Sequence, residues 1–200
     1  QGAFDRDGAL RATASASIAD LGRMGVLLAP MTPRQGKGRI TATFGGTTTA
    51  PTLDVRAAFA HPRFESGLRA ESVVVSASGA LSPALDLRGT VRVAGLAARE
   101  RALGNVSASF AGGRQMRIDR FEQSAGDTTL TMRGLLAFEA GGVTAQVDSL
   151  RLAAGSFRAV TRDPVRVTYA QGRLRASPLV FDLEPGRLDA DLDWNVSSGR

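Results

Sequence analysis

Apolar and polar residues alternate at every second position along most of this chain. The clearest case is a run near the C-terminal end that reads Leu188, Asp189, Ala190, Asp191, Leu192, Asp193 and Trp194. Successive side chains of a β-strand point to opposite faces, whereas a helix would scatter the three aspartates around its circumference. The pattern therefore predicts a strand with one apolar and one polar face.

The same alternation recurs upstream, with turn residues between the runs. Similar runs occupy residues 10–18, 39–44, 53–59, 85–93, 106–110, 129–138 and 165–169. Glycine pairs follow several of them, at Gly45-Gly46, Gly112-Gly113 and Gly141-Gly142, where strands are expected to turn. The spacing predicts about ten to twelve strands, mostly paired with their sequence neighbours. We therefore expect an all-β fold, a long antiparallel meander, in which residues 1–200 form a single β-rich segment.

Three local features depart from simple alternation. Residues 18–28 are the best candidate for a short helix, with Asp20 as its N-cap. The apolar phase shifts around Ser149-Leu150, which predicts a β-bulge. Phe121 is also out of phase with Met116 and Ile118.

The period-two count predicts which side chains share the apolar face and which are exposed. We expect Arg88, Arg92, Arg133 and the three aspartates at 189, 191 and 193 to be exposed. The aspartates are interpreted as solubilising charges. The predicted apolar residues are Leu85, Leu87, Val91, Val93, Leu130, Met132, Leu136, Phe138, Leu188, Leu192 and Trp194.

The composition of the chain excludes several kinds of functional site. The chain has no Cys and one His, which excludes disulfide scaffolds, thiolate zinc sites and histidine clusters. Neither a nucleophile elbow nor a phosphate-binding glycine loop is present. Residues 5–8 begin like a calcium loop, but Ala16 stands where the closing Glu is required. No catalytic, cofactor-binding or metal-ligating residue is nominated, and we do not expect an enzyme.

The net charge of +6 does not indicate a nucleic-acid partner. Basic residues alternate with acidic ones and form no long stripe. Aromatic residues make up 6% of the chain, which is few for stacking on single-stranded bases.

Three stretches of this sequence resemble the TamB/AsmA-like group of Gram-negative envelope proteins. They are Gly36 to Pro51, Gly79 to Gly89 and Met116 to Gly134. The resemblance implies a long sheet curled into a U-shaped trough with an apolar interior, within a longer chain. It implies a periplasmic location in an inner-membrane-anchored protein, with the anchor outside these 200 residues. It also implies phospholipid acyl chains as cargo and an outer-membrane barrel of the TamA/BamA type as a partner.

Two functional hypotheses follow. The first is a non-enzymatic apolar groove between the inner and outer membranes, for phospholipid transport or for assembly of outer-membrane and autotransporter proteins. The second is a structural or protein-interaction β-sandwich, because alternation reports one dry face and not what covers it. The two differ in whether a second sheet covers the apolar face at about 10 Å.

Overall fold

The computed structural model describes residues 2–4, 9–24, 33–65, 67–113, 115–139, 142–184 and 186–195, and the all-β prediction is confirmed. Fifteen strands make up most of these residues. The first eight are β1 Gly2–Phe4, β2 Leu10–Ile18, β3 Pro33–Gly46, β4 Pro51–Phe64, β5 Leu68–Arg69, β6 Ser72–Ala80, β7 Asp86–Ala98 and β8 Arg101–Gly112. The remaining seven are β9 Gln115–Ala125, β10 Thr128–Glu139, β11 Gly142–Ala154, β12 Phe157–Thr161, β13 Val165–Ala170, β14 Arg173–Leu183 and β15 Gly186–Asn195.

Within the described residues, the single helix is a four-residue 3₁₀ helix, Leu21–Met24, in the segment predicted to be helical. The Gly22 N–H donates to Asp20 Oδ1 at 2.9 Å, so Asp20 caps this helix. Leu21 is buried against Gly36, where an added Cβ would lie 2.8 Å from the Leu21 Cδ1. The small residue at position 36 therefore makes room for the helix. Residues 25–28 of the predicted helix lie outside the described part of the chain.

The chain divides into two compact units, residues 1–109 and 110–200, with the boundary inside β8. In unit 1 the strands pair antiparallel in the order β1-β2-β3-β4-β6-β7, with β8 next to β7. The short β5 pairs with β4 and β7 beyond the end of β6. A meander of sequence neighbours is the arrangement that the short connections predict.

Unit 2 is also an antiparallel meander, except that two short strands, β12 and β13, together take the place of one strand between β11 and β14. β10 pairs with β9 and β11, and β15 pairs with β14. β12 and β13 both pair with β11 on one side and β14 on the other, so they lie in line. At the interruption the Leu150 N–H donates to Thr161 Oγ1 at 2.9 Å, which replaces a ladder bond for a part-buried amide.

Both predicted phase shifts correspond to breaks of register. β10 and β11 shift between Arg133 and Gly134, where the partner skips from Ser149 to Val147. β9 and β10 shift between Met132 and Gly134, where the partner skips from Phe121 to Ile118. The predicted bulge at Ser149 is confirmed. The extra residue restores the phase, so apolar side chains before and after each bulge lie on the same face.

Buried side chains are few because the described strands of each unit form a single layer. Apart from the 3₁₀ helix on β3, the described elements that pack closely against one another within a unit are ladder neighbours. A cluster of Val147, Val165 and Ala176 lies in unit 2, and Val165 is 2% exposed. A filled sandwich requires a second sheet over the apolar face, and within each unit the described strands form none.

Candidate functional site

Unit 1 has an apolar face built from five neighbouring strands, which we call the unit 1 apolar face. Register aligns the apolar positions of β2, β3, β4, β6 and β7 in cross-strand rows. Each strand contributes four residues, and none of them is polar. The rows are Ala12-Phe44-Leu53-Gly79-Leu87, Ala14-Ala42-Val55-Ala77-Gly89, Ala16-Ile40-Ala57-Val75-Val91 and Ile18-Gly38-Phe59-Val73-Val93.

The opposite face of unit 1 carries hydroxyl groups and charges. Ser76 Oγ and Thr90 Oγ1 lie 2.9 Å apart in a cross-strand hydrogen bond. Arg56 pairs with Asp54 at 3.6 Å along the same strand. These groups interact with water and with each other, so this side of the sheet needs no cover.

Unit 2 has a matching apolar face, the unit 2 apolar face, on β9 to β15. Its cross-strand rows include Met116-Leu136-Ala145-Val167-Ala176-Leu192, Phe138-Val143-Tyr169-Leu174-Trp194, Phe121-Met132-Leu150, and Leu130-Leu152-Ala159-Leu183. Thr161 also lies on this face, where its hydroxyl accepts the Leu150 N–H. No charged side chain occurs in these rows.

Large side chains on the unit 2 apolar face remain open to solvent. Phe138 is 54% exposed and Trp194 is 46% exposed, and Leu188 and Leu192 on the same face are also exposed. Contiguous exposed apolar area of this kind marks a binding surface.

Ten of the eleven predicted apolar residues lie on these two faces. Leu87, Val91 and Val93 lie on the unit 1 apolar face. The unit 2 apolar face carries Leu130, Met132, Leu136, Phe138, Leu188, Leu192 and Trp194.

Leu85 is the exception, and its assignment to a strand face is corrected. β7 begins at Asp86, whose partner is Ala80, the last residue of β6. Leu85 therefore lies in the connection between the two strands, where it has no cross-strand neighbour, and it is 48% exposed.

The residues predicted to be exposed are exposed. Arg88 and Arg92 lie opposite Ser78 and Val74, on the hydroxyl-bearing face of unit 1. Arg133 of unit 2 lies opposite Ser149 and is also exposed. The three aspartates of β15, at 189, 191 and 193, are exposed as well.

Asp193 is part of the best-defined ion pair of this polar side. Arg173 donates from Nε to Asp193 Oδ1 at 2.6 Å and from Nη2 to Oδ2 at 2.5 Å, and Arg175 Nε lies 3.5 Å from Oδ2. The hydrogen bonds from Arg173 hold the pKa of the Asp193 carboxyl below its usual range. They raise the pKa of the Arg173 guanidinium. The pair joins β14 to β15 on the polar side of the sheet, away from the apolar rows.

Several residues of the two faces were absent from the predicted set. They include Phe44, Phe59 and Val73 of unit 1 and Leu174 and Phe181 of unit 2. Phe44 and Phe59 belong to the alternating runs predicted at residues 39–44 and 53–59, whereas Val73 lies in the run Val73-Val74-Val75, which does not alternate. Phe181 is harder to find, because the register of β14 against β15 shifts between Ala176 and Leu179.

No metal site is evident in the part of the chain that the structure describes. These residues contain no group of three or more His, Asp or Glu side chains able to hold a metal ion. The described helix lacks the length and hydropathy needed to cross a membrane. Comparison with protein-family models, with curated proteins and with solved structures finds no match.

Proposed function

We propose that this chain is a non-enzymatic envelope protein segment whose apolar sheet faces bind the acyl chains of phospholipids. The observation that supports this most is the pair of uncharged apolar faces, each left without a second layer among the described elements of its unit. Such a face is unfavourable in water and requires an apolar occupant.

The chemistry of the faces favours an acyl chain over a polypeptide. The backbone groups of the strands are already used in the ladders, and the side chains in the rows offer almost no hydrogen-bonding groups. An extended peptide laid on such a face would leave its own N–H and C=O groups unpaired. The hydrocarbon tail of an acyl chain has no N–H or C=O groups, so binding to the face leaves no hydrogen-bonding group of the tail unpaired.

The energy available matches this type of ligand. Burying one methylene contributes about 0.8 kcal/mol, so a chain of roughly sixteen carbons contributes about 13 kcal/mol. Five strands spaced about 4.8 Å apart give the unit 1 apolar face a width of about 19 Å, comparable to an extended acyl chain. Affinity therefore needs no specific contact, which agrees with the lack of a site motif.

The cellular setting proposed here rests on the family resemblance. In that setting the chain is a periplasmic segment of an inner-membrane-anchored protein that reaches toward the outer membrane. Its apolar faces would line a curled trough for phospholipid transport, and assembly of outer-membrane and autotransporter proteins is the further role that the resemblance implies. A barrel of the TamA/BamA type is the expected partner.

A direct test uses Trp194, the one tryptophan of the chain. Its exposed ring lies on the unit 2 apolar face, so bound acyl chains should shift its fluorescence to shorter wavelength. A phospholipid brominated along its acyl chain should quench this fluorescence, because bromine quenches on contact. The unbrominated lipid and the water-soluble headgroup glycerophosphocholine are the controls.

The outcome separates the two functional hypotheses. Quenching by the brominated lipid but not by its headgroup supports acyl-chain binding. Unchanged fluorescence with both lipids, up to concentrations at which vesicles form, would refute it and leave a structural β-domain as the alternative.

A further inference from the structure

A cavity of about 300 Å³ in unit 1 is surrounded by arginines. It forms where the start of β3, the end of β4, β5 and the turn after β7 meet. No carboxylate of the described residues lines it. Its lining consists of Arg34, Gln35, Arg63, Phe64, Gly67, Leu68, Arg69 and Arg99.

Backbone pairing brings three of these arginines close together. Arg63 and Arg69 are direct cross-strand partners in the β4–β5 ladder. The Arg99 N–H donates to the Gly67 carbonyl oxygen at 2.9 Å, and Arg99 has a φ of 53°. A non-glycine residue in this left-handed region costs energy, which the hydrogen bond to the neighbouring turn helps to offset.

The positive charge of this cavity is largely uncompensated. Arg34 lies 3.6 Å from Glu65, whereas no ion pair joins Arg63, Arg69 or Arg99 to a carboxylate in the described residues. Two like charges directly opposite each other in a ladder destabilise the sheet. An anion bound between them would remove that repulsion.

We propose that this cavity binds the phosphate group of a phosphate ester. A guanidinium presents its N–H donors in a planar fork that matches the oxygens of a phosphate. The half-buried Phe64 and Leu68 add an apolar surface for the organic part of the ester. This inference goes beyond acyl-chain binding and stands independently of it, because it rests on the arginines and not on the apolar rows.

Two sources carry this chemistry, a soluble phosphate ester and the headgroup of a phospholipid. Calorimetric titration of the chain with glycerol 3-phosphate tests the first. Titration with dihexanoylphosphatidylglycerol below its micelle concentration tests the second, and dihexanoylglycerol, which lacks the phosphate, is the control. Binding of glycerol 3-phosphate as tight as that of the lipid assigns the site to soluble esters. Binding of the phospholipid alone assigns it to a headgroup.

The double variant Arg63→Gln/Arg69→Gln identifies the site. The loss of even one charge-assisted hydrogen bond to phosphate weakens binding about tenfold, so we expect at least that loss for two arginines. Arg88→Gln/Arg92→Gln is the matched control, since it removes two charges from the same unit outside the cavity. It should keep the wild-type affinity.

A stability measurement separates this role from a structural one. Removing the Arg63–Arg69 repulsion should leave the midpoint of urea unfolding unchanged or raise it, while binding falls. The proposal is overturned if neither phosphate compound binds, or if the two double variants bind alike. It is also overturned if Arg63→Gln/Arg69→Gln loses binding only because it unfolds.

Discussion

Leu136→Asp places a negative charge in the middle of the unit 2 apolar face. Leu136 lies between Met116 and Ala145 in its row and is half-buried. Losing that half-buried side chain costs about 1 kcal/mol, half of the roughly 2 kcal/mol for a fully buried leucine. The carboxylate adds about 1 kcal/mol, because the described strands of unit 2 form no second layer that would keep it from water. The total of about 2 kcal/mol is below the stability of an ordinary domain, so the variant should fold.

Acyl-chain binding should nevertheless fall sharply. A hydrated carboxylate keeps two or three methylenes off the face, each worth about 0.8 kcal/mol, so the affinity should drop about 10- to 50-fold. Quenching of Trp194 by a brominated phospholipid measures the affinity, and circular dichroism during urea unfolding measures the stability.

Two other positions of unit 2 supply the controls. Leu135→Asp adds the same charge one residue away, on the opposite face, where Leu135 is 40% exposed and lies opposite Arg117. It should fold and bind lipid as the wild type does. Val165→Asp places the charge in the buried cluster and should unfold unit 2, since an unpaired buried charge costs several kcal/mol. The reasoning is refuted if Leu136→Asp binds lipid as tightly as Leu135→Asp, or if both lose binding equally.

Three further predictions concern stability. Gly134→Ala should lower the free energy of unfolding by about 2 kcal/mol in urea titrations, because the new Cβ would lie 2.2 Å from the Gln146 carbonyl oxygen; an unchanged midpoint would contradict that bulge geometry. Val165→Ala should cost about 2 kcal/mol in the same titration, since Val165 is the most buried member of its cluster, and a cost near zero would mean that the cluster is not packed. Asp193→Asn should be less stable than the wild type at neutral pH. Arg173 lowers the folded-state pKa of Asp193, so the difference in the free energy of unfolding between wild type and variant should be constant above the usual aspartate pKa range. This difference should shrink as the pH falls through that range and vanish below the lowered pKa. A difference that persists at the lowest pH would contradict the assignment.

The alternation of apolar and polar residues predicts the two faces of each strand well, but it predicts poorly where strands end and loops begin. The shift around Ser149 was visible because a bulge moves every later apolar residue by one position. Leu85 was misassigned because the start of β7 is set by the pairing of Asp86 with Ala80, which alternation alone does not reveal. Apolar and polar residues that alternate in a loop cannot be distinguished, from the sequence alone, from those that alternate in a paired strand.

The arginine cavity could not be predicted from the sequence at all. Its arginines come from the start of β3, the end of β4, β5 and the turn after β7. Arg63 and Arg69 are close in sequence, but Arg34 and Arg99 each lie about 30 residues from that pair. Each looks like an ordinary charged residue at the end of a strand. They come together because β5 pairs with β4 on one side and β7 on the other, an arrangement of long-range pairing that no local motif encodes.

The sizes of the apolar residues help to explain how a sheet can carry an apolar face without a covering layer. A sandwich core needs large side chains that interdigitate across about 10 Å. β2 instead contributes Ala12, Ala14 and Ala16 to the unit 1 apolar face, and β7 contributes Gly89. Such residues give a shallow surface on which a flexible chain can lie in many registers. Backbone pairing between the strands therefore defines this fold, and the apolar faces remain available to a flexible ligand such as an acyl chain.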